Sequence, residues 1–467
     1  MTDRSIAGVG AYAPADRISA EEFTEALGTF GGTGIRQKAV PGVDEDSLTM
    51  AAEAATIALE TTAVDAGDVD GLLLATTTPP MDEEDPTPRL ASMLGLDRSV
   101  ETELQTGSTL AGVDALTSAL ERTDDTATLV VASDAPRGAP DSAIEHAAGA
   151  GAVALVLAAD GSAPVVDRAT ASEPYPGTRF RPHGSGETTS LDATAYERSS
   201  FSETLGDAAD GVDVDGIDAA AVQAPNGKLP YRAAGALGVE TDDIQRCATV
   251  HDLGDVGAAS ALLSFAAAVD DGAERVLIAG YGSGASATAL VVENDGVETT
   301  LETDADGDDL SYARYLRRRG ELTSGEPDGG GAYVSVPTWK RSIPQRHRLE
   351  AGVCPDCGVL SFPPDGACDG CGGLVEYEPI RLPGTGTVEA VTTIQQGGAP
   401  PEFVEQQARD GAFQSAVVAF DGPGGETVSV PAQVIGSVEV GDHVEATIRR
   451  IYEQEDVIRY GFKVRPR

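Results

Sequence analysis

The chain has 467 residues, more than one hydrophobic core usually serves, so at least two domains are expected. Lys and Arg total 32 against 76 Asp and Glu, a formal net charge of -44, and lysine occurs only at positions 38, 228, 340 and 463. The carboxylates are scattered rather than blocked, which reads as adaptation to a salt-filled cytoplasm and argues against nucleic-acid binding, where clustered cations are needed.

No window approaches 18 uncharged apolar residues, and the opening "MTDRSIAGVG" lacks a signal-peptide core, so a cytoplasmic chain without a membrane segment is expected. The first 295 residues repeat. "VDGLLLATTTPP" from Val69 parallels "IDAAAVQAPNGK" from Ile217, "TLAGVDALTSAL" from Thr109 parallels "DVGAASALLSFA" from Asp255, and "TLVVASDA" from Thr128 parallels "RVLIAGYG" from Arg275. Each half supplies a buried strand, a small-residue helix and another buried strand, which predicts parallel strands covered by helices. The helices are too apolar for a surface, so five layers are expected, helix-sheet-helix-sheet-helix. That arrangement puts the turns at Gln105 to Ser108 and His251 to Gly257 at the N-termini of two central helices, where free N–H groups could hold a carbonyl.

A Gly/Pro/acidic run at 323–332 reads as a linker. Beyond it, residues 333–382 read as a helical lead-in and a metal ribbon, and 383–467 as short alternating strands of a small closed barrel of the OB type. Cys354, Cys357, Cys368 and Cys371 form C-x2-C-x10-C-x2-C, with Gly358 and Gly372 directly after each pair. Four thiolates with no open position imply a closed structural zinc site. The fifth thiol, Cys247, reads as a small buried hydrophobe. His146 and His183 have no partner spacing and read as surface or loop residues.

Several runs resemble a known family: "GVGAYAPADRI", "VPGVDEDSLTMAAEAA", "QAPNGKLPYRAAGALG", "GYGSGASATAL" and "SYARYLRRRGEL". Residues 1–322 resemble the archaeal branch of hydroxymethylglutaryl-CoA synthase, a condensing enzyme of the thiolase fold. Through "CPDCGVLSFPP", "CDGCGG" and "YGFKVRP", residues 333–467 resemble the zinc-ribbon/OB-fold family associated with acyl-CoA enzymes. The resemblance implies a duplicated five-layer α/β thiolase fold followed by a zinc ribbon and a barrel. It also implies a CoA thioester as ligand, pairing through a central strand into a homodimer or heteromer, and a thiolase or an active synthase paralogue as partner.

It further implies catalytic positions, and this chain departs at each. The family's acetyl-accepting Cys is matched by Thr106, its His by Gln223, its Glu by the stretch Thr76 to Thr78 centred on Thr77, and its "GN" by Gly254-Asp255. Threonine is a poor nucleophile without an adjacent base, being less acidic than a Cys thiol at about 8.5. Gln cannot transfer a proton at neutral pH, and threonines cannot replace a carboxylic acid. His251 with Asp252 and Asp255 could form a new acid/base group with Thr106 as acceptor, although a loop His capped by Asp252 is the plainer reading. Arg341, Arg346, Arg348 and Lys228 are candidates to contact CoA phosphates. The expected function is therefore an acyl-CoA-binding protein that has lost condensation and organises or channels intermediates. An active acyl-CoA acyltransferase or condensing enzyme using Thr106 or a non-covalent mechanism, and a nucleic-acid binder through the barrel, are the alternatives.

Overall fold

The computed structural model describes residues 4–122, 126–191, 194–322, 336–395, 399–454 and 457–467, so the expected linker at 323–332 lies outside the described residues. The chain divides into two compact units, one of residues 1–91 and 96–315, the other of residues 92–95 and 316–467.

In the first unit the strands are β1 (Ser5–Tyr12), β2 (Arg17–Ser19), β3 (Gln37–Ala39), β4 (Val69–Ala75), β5 (Glu101–Gln105), β6 (Ala127–Asp134), β7 (Gly151–Ala158), β8 (Ala163–Tyr175), β9 (Ala219–Val222), β10 (Arg275–Gly282), β11 (Gly284–Glu293) and β12 (Glu298–Glu302). The main path runs β5-β4-β6-β7-β1-β8-β11-β10-β9, with β12 against β1. Along this path its two halves are joined where Ser5 and Ile6 pair with Pro164 and Ala163. The fully buried runs of β6 and β9 carry apolar residues that the repeat singled out.

The strands are not all parallel, as the repeat suggested. β4 is parallel to β5 and β6, and β9 to β10, but β7 and β11 return antiparallel. For β11 the reason is connection length: only Ser283 separates β10 from β11, and a parallel return needs a crossover of about a dozen residues.

The helices Ala111–Leu120 and Ser260–Asp270 lie between the two halves as expected, with Val113, Leu116, Leu262 and Phe265 buried in one core. A Cβ on Gly112 would lie 2.1 Å from the Ala258 carbonyl oxygen, so the backbones approach as closely as only glycine permits. The helices Ser47–Glu60 and Thr194–Ala209 cover the outer faces, packing on β1 and β7 and on β8 and β11. Both central helices begin later than predicted, at Ala111 and, after a 3₁₀ turn Gly257–Ala259, at Ser260. The turns at 105–108 and 251–257 therefore precede the helix N-termini.

The second unit contains the helix Val336–Arg348. Three ribbon strands follow, β13 (Glu350–Val353), β14 (Leu360–Ser361) and β15 (Glu378–Arg381), ordered β14-β13-β15. β16 (Thr385–Ile394), β17 (Phe413–Asp421), β18 (Thr427–Val434), β19 (His443–Gln454) and β20 (Val457–Pro466) close into a barrel in the order β16-β17-β18-β20-β19. Alternation supplies its core: Val418, Phe420, Val430, Val444 and Val464 point inward and pack with Ala351 and Leu360 of the ribbon.

Candidate functional site

The strand ends β4 and β6 bring Thr76 to Thr78 onto Asp134, which has no exposed surface. One Asp134 carboxylate oxygen accepts from Thr76 Oγ1 (2.9 Å), Thr77 N (2.7 Å), Thr78 N (3.0 Å) and Thr78 Oγ1 (2.8 Å). The other accepts from Thr77 Oγ1 (2.8 Å) and Ala258 N (2.7 Å). The threonines thus form a cradle for a buried carboxylate and leave Thr77 committed as a donor.

From the second half, β9 delivers Gln223, which is 1% exposed. Its Nε2 donates to the Gly257 carbonyl at 2.8 Å, while its Oε1 is buried without a partner among the described residues. Asp255, also 1% exposed, is ion-paired with Arg179 and accepts from Gly257 N at 3.0 Å. Arg179, Gln223, Thr109, Thr178, Glu197 and Tyr281 surround a cavity of about 20 Å³, room for about one water. Thr109 Oγ1 donates to the Tyr281 carbonyl at 2.7 Å. Burial pushes the Tyr281 phenol and the Glu197 carboxyl up, the latter against the pull of Arg179.

Thr106 is not among the residues lining this cavity; it is exposed just after β5. His251 is also elsewhere, in the short helix Val250–Leu253. Its Nδ1 lies 2.6 Å from the Gly34 carbonyl and its Nε2 2.7 Å from Tyr231 Oη. A carbonyl only accepts, so Nδ1 carries the proton and Nε2 accepts from the phenol. These two rings, with Gly34, Arg36, Gln245 and Ala248, line an open hollow of about 520 Å³. Asp252 does not cap His251 as the sequence suggested; it pairs with Arg36 across the hollow's edge.

Two other sequence readings are settled by burial. His146 is not a surface residue but 2% exposed, between Phe23 and Phe30, with Nδ1 accepting from Gly31 N at 2.7 Å. Burial and then the neighbouring Lys38 hold its pKa down, against Asp141. Cys247 is 3% exposed, and burial pushes its thiol up to about 12, as befits an inert hydrophobe. Arg179, the group that fills the site, gave no signal in the sequence because its partner lies 76 residues away.

In the second unit the four cysteine sulfurs lie within 4.8 Å of one another. Cys354 Sγ is 3.8 Å from Cys371 Sγ, and Cys357 Sγ is 3.5 Å from Cys368 Sγ. A tetrahedral zinc with Zn–S of about 2.3 Å has S···S edges of about 3.8 Å, so the donor set fits that ion. Gly358 and Gly372 take φ of +73° and +72°, and their N–H groups donate back to the Cys354 and Cys368 carbonyls at 2.8 Å, closing each knuckle.

Of the cations proposed for phosphate, Arg341 and Arg346 line a cavity of about 620 Å³ in the second unit. Arg348 instead pairs with Glu350 at 3.1 Å, and Lys228 stands exposed beside Asn226 in the first unit.

Comparison with known proteins places these features. Residues 341–376 match the family described as ChsH2, rubredoxin-like zinc ribbon domain. The hydroxymethylglutaryl-CoA synthase of Archaeoglobus fulgidus is 28% identical over 352 residues, covering 68% of this chain and 98% of its own. That of Pyrobaculum neutrophilum is 29% identical over 345 residues, covering 66% and 95%. Among solved structures, an HMG-CoA synthase complexed with CoA superimposes with a TM-score of 0.61 at 18% identity, covering 71% of this chain and 94% of that one. The 3-oxoacyl-(acyl carrier protein) synthase III of Pseudomonas aeruginosa does so at 0.56 and 21%, covering 63% and 99%. The chain therefore joins a thiolase-like region homologous to the archaeal hydroxymethylglutaryl-CoA synthases to a C-terminal rubredoxin-like zinc ribbon and closed barrel.

Proposed function

We propose that this chain binds acyl-CoA without carrying out condensation, and that it organises or channels acyl-CoA intermediates for a thiolase or an active synthase partner. One observation carries the reading: beside Gln223, which stands at the position matched to the family's His, the Arg179–Asp255 pair closes down on a cavity of about 20 Å³. That leaves room for about one water among these side chains. Thr77 is tied to Asp134 and Gln223 to Gly257, so neither is free to move a proton. Thr106 is exposed, and no hydrogen bond joins it to a base among the described residues, which leaves the acyltransferase alternative without an activated nucleophile.

The relatives supply the ligand class, since the similar solved structures include an HMG-CoA synthase with CoA and a curacin-pathway HMG synthase with an acetyl donor carrier protein. A cytoplasmic, salt-adapted protein acting as a homodimer or heteromer completes the reading. No described helix is long and apolar enough to cross a membrane.

The test is intact-mass measurement after incubation with acetyl-CoA. No covalent acetyl group should appear on wild type, and a thiolase or synthase should co-purify with the protein from its host in high salt. A mass gain of one acetyl group that disappears in Thr106→Ala or Thr109→Ala would replace this reading with the acyltransferase.

A further inference from the structure

Two of the chain's five histidines hold one loop, residues 28–34, at two points. The Gly31 N–H donates to His146 Nδ1 at 2.7 Å, and His251 Nδ1 donates to the Gly34 carbonyl at 2.6 Å. The loop carries Gly28, Gly31, Gly32 and Gly34, so its backbone has little stiffness of its own. It also abuts the closed site. Gly227 N, in the turn that follows β9 and Gln223, donates to the Thr33 carbonyl at 2.9 Å.

The two rings respond to an added proton in opposite ways. His251 already carries its proton on Nδ1, and the Tyr231 hydroxyl at its Nε2 can turn and accept, so the charged ring keeps both bonds. His146 must keep Nδ1 bare for Gly31, and as an imidazolium it would set one N–H against another at 2.7 Å. Turning the ring gives no relief, because both nitrogens donate in the charged form. Nor do its surroundings welcome the charge. The side chain is 3% exposed, with Phe30 of the loop stacked on it at 5.4 Å and the helix Ala20–Leu27 presenting Phe23 at 4.8 Å. From β3 comes the Lys38 ammonium, held by the Glu145 carbonyl and by Tyr315 Oη at 3.0 Å, while Tyr312 lies behind Phe23. The Glu145 carboxylate accepts from Asp141 N. Asp141 Oδ1, 3.6 Å from His146 Nε2, belongs to a side chain 61% exposed and solvated, and Nε2 itself has no hydrogen bond among the described residues.

We propose that His146 and His251 form a pH-sensitive clamp on the loop 28–34, which acid opens at Gly31 while Gly34 stays held. The sign follows from linkage. Burial and Lys38 hold the closed-state His146 below the ordinary imidazole value of about 6.5, so opening the loop takes up a proton in acid. The clamp is intact above that value and weakens as pH falls towards the lowered one. One proton per opening makes the open fraction grow about tenfold for each pH unit in that window. The opened loop withdraws the Thr33 carbonyl from Gly227, so the turn after Gln223 loosens with it. The clamp is independent of the acyl-CoA reading and stands or falls without it.

The test is hydrogen exchange read by mass spectrometry on the full chain in molar KCl from pH 7.5 to 5, each rate divided by that of the unstructured peptide at the same pH. Protection of the segments 28–36 and 224–230 should fall about tenfold between pH 6.5 and 5.5, while β6 and β10 keep theirs. In His146→Gln, whose carboxamide oxygen accepts from Gly31 at any pH, the fall should vanish; in His251→Gln it should remain. Exchange at the imidazole C2 carbon reports the titration of His146 in the unsubstituted protein. Its midpoint should lie below about 6.5, and the fall in loop protection should level off there. Level protection down to pH 5, a fall that survives in His146→Gln, or a fall that β6 and β10 share overturns the proposal. So does a His146 midpoint at or above the ordinary value, a result that holds whether or not the variants fold.

Discussion

A carboxylate without exposed surface survives in a core only where donors surround it, and Asp134 has three threonine hydroxyls and three backbone N–H groups around its two oxygens. The same geometry explains why a carboxylic acid cannot simply be put back at position 77. In Thr77→Glu a second carboxylate would replace a donor next to Asp134, in surroundings where two like charges about 4 Å apart cost about 4 kcal/mol. Chemical denaturation should show Thr77→Glu destabilised by about 2–4 kcal/mol with no gain of condensing activity. A variant as stable as wild type would mean the cradle does not hold the carboxylate. None of this was legible in the sequence, where three threonines in a row look like a position left empty. Their partner is 56 to 58 residues further on, just as His146 meets Gly31 across 115 residues and Arg179 meets Asp255 across 76. Side-chain partnerships at such separations follow no local period.

Elements whose logic is local were read correctly. The C-x2-C knuckles need only a tight turn and a glycine with positive φ, both written within five residues, and the sulfurs do converge. Buried strands such as β6 and β10 announce themselves by unbroken apolar runs, whereas strand direction, set by the single residue between β10 and β11, did not. The ribbon also shares a core with the barrel, since Leu349, Ala351 and Leu360 pack with Val418, Phe420 and Val464. Metal loss should therefore loosen more than the ribbon. Cys354→Ser and Cys371→Ser are expected to lose the one zinc bound per chain, and limited proteolysis should then cut within 385–467 while fragments of the first unit persist. Full zinc content in either variant would refute the ligand assignment, and a protease-resistant barrel without zinc would refute the coupling.

Across the whole molecule, charge sets the conditions under which the chain stays compact. With a net charge of -44, repulsion among carboxylates opposes compaction at every point of the surface, and it reaches about 10 Å in 0.1 M salt but only about 3 Å at 1 M. With four lysines in the chain, arginine supplies most of the cations, and many arginines are already spent in pairs such as Arg246–Asp271 and Arg275–Glu293. Screening must then come from solution. The melting midpoint should rise by roughly 3–5 °C between 0.1 and 1 M KCl, as a few kcal/mol of relieved repulsion would give in a chain of this size. The shape of the response identifies the cause. Screening is nearly complete once the Debye length falls to the spacing of neighbouring side chains, so the gain should flatten above about 1 M. Exclusion of salt from apolar surface keeps strengthening burial as concentration grows and would give a continuing rise, steeper in sulfate than in chloride. Scanning calorimetry from 0.1 to 3 M KCl separates the two. A midpoint that is flat or falling below 1 M, or one that climbs in a straight line to 3 M, would show that carboxylate repulsion is not what salt relieves in this protein.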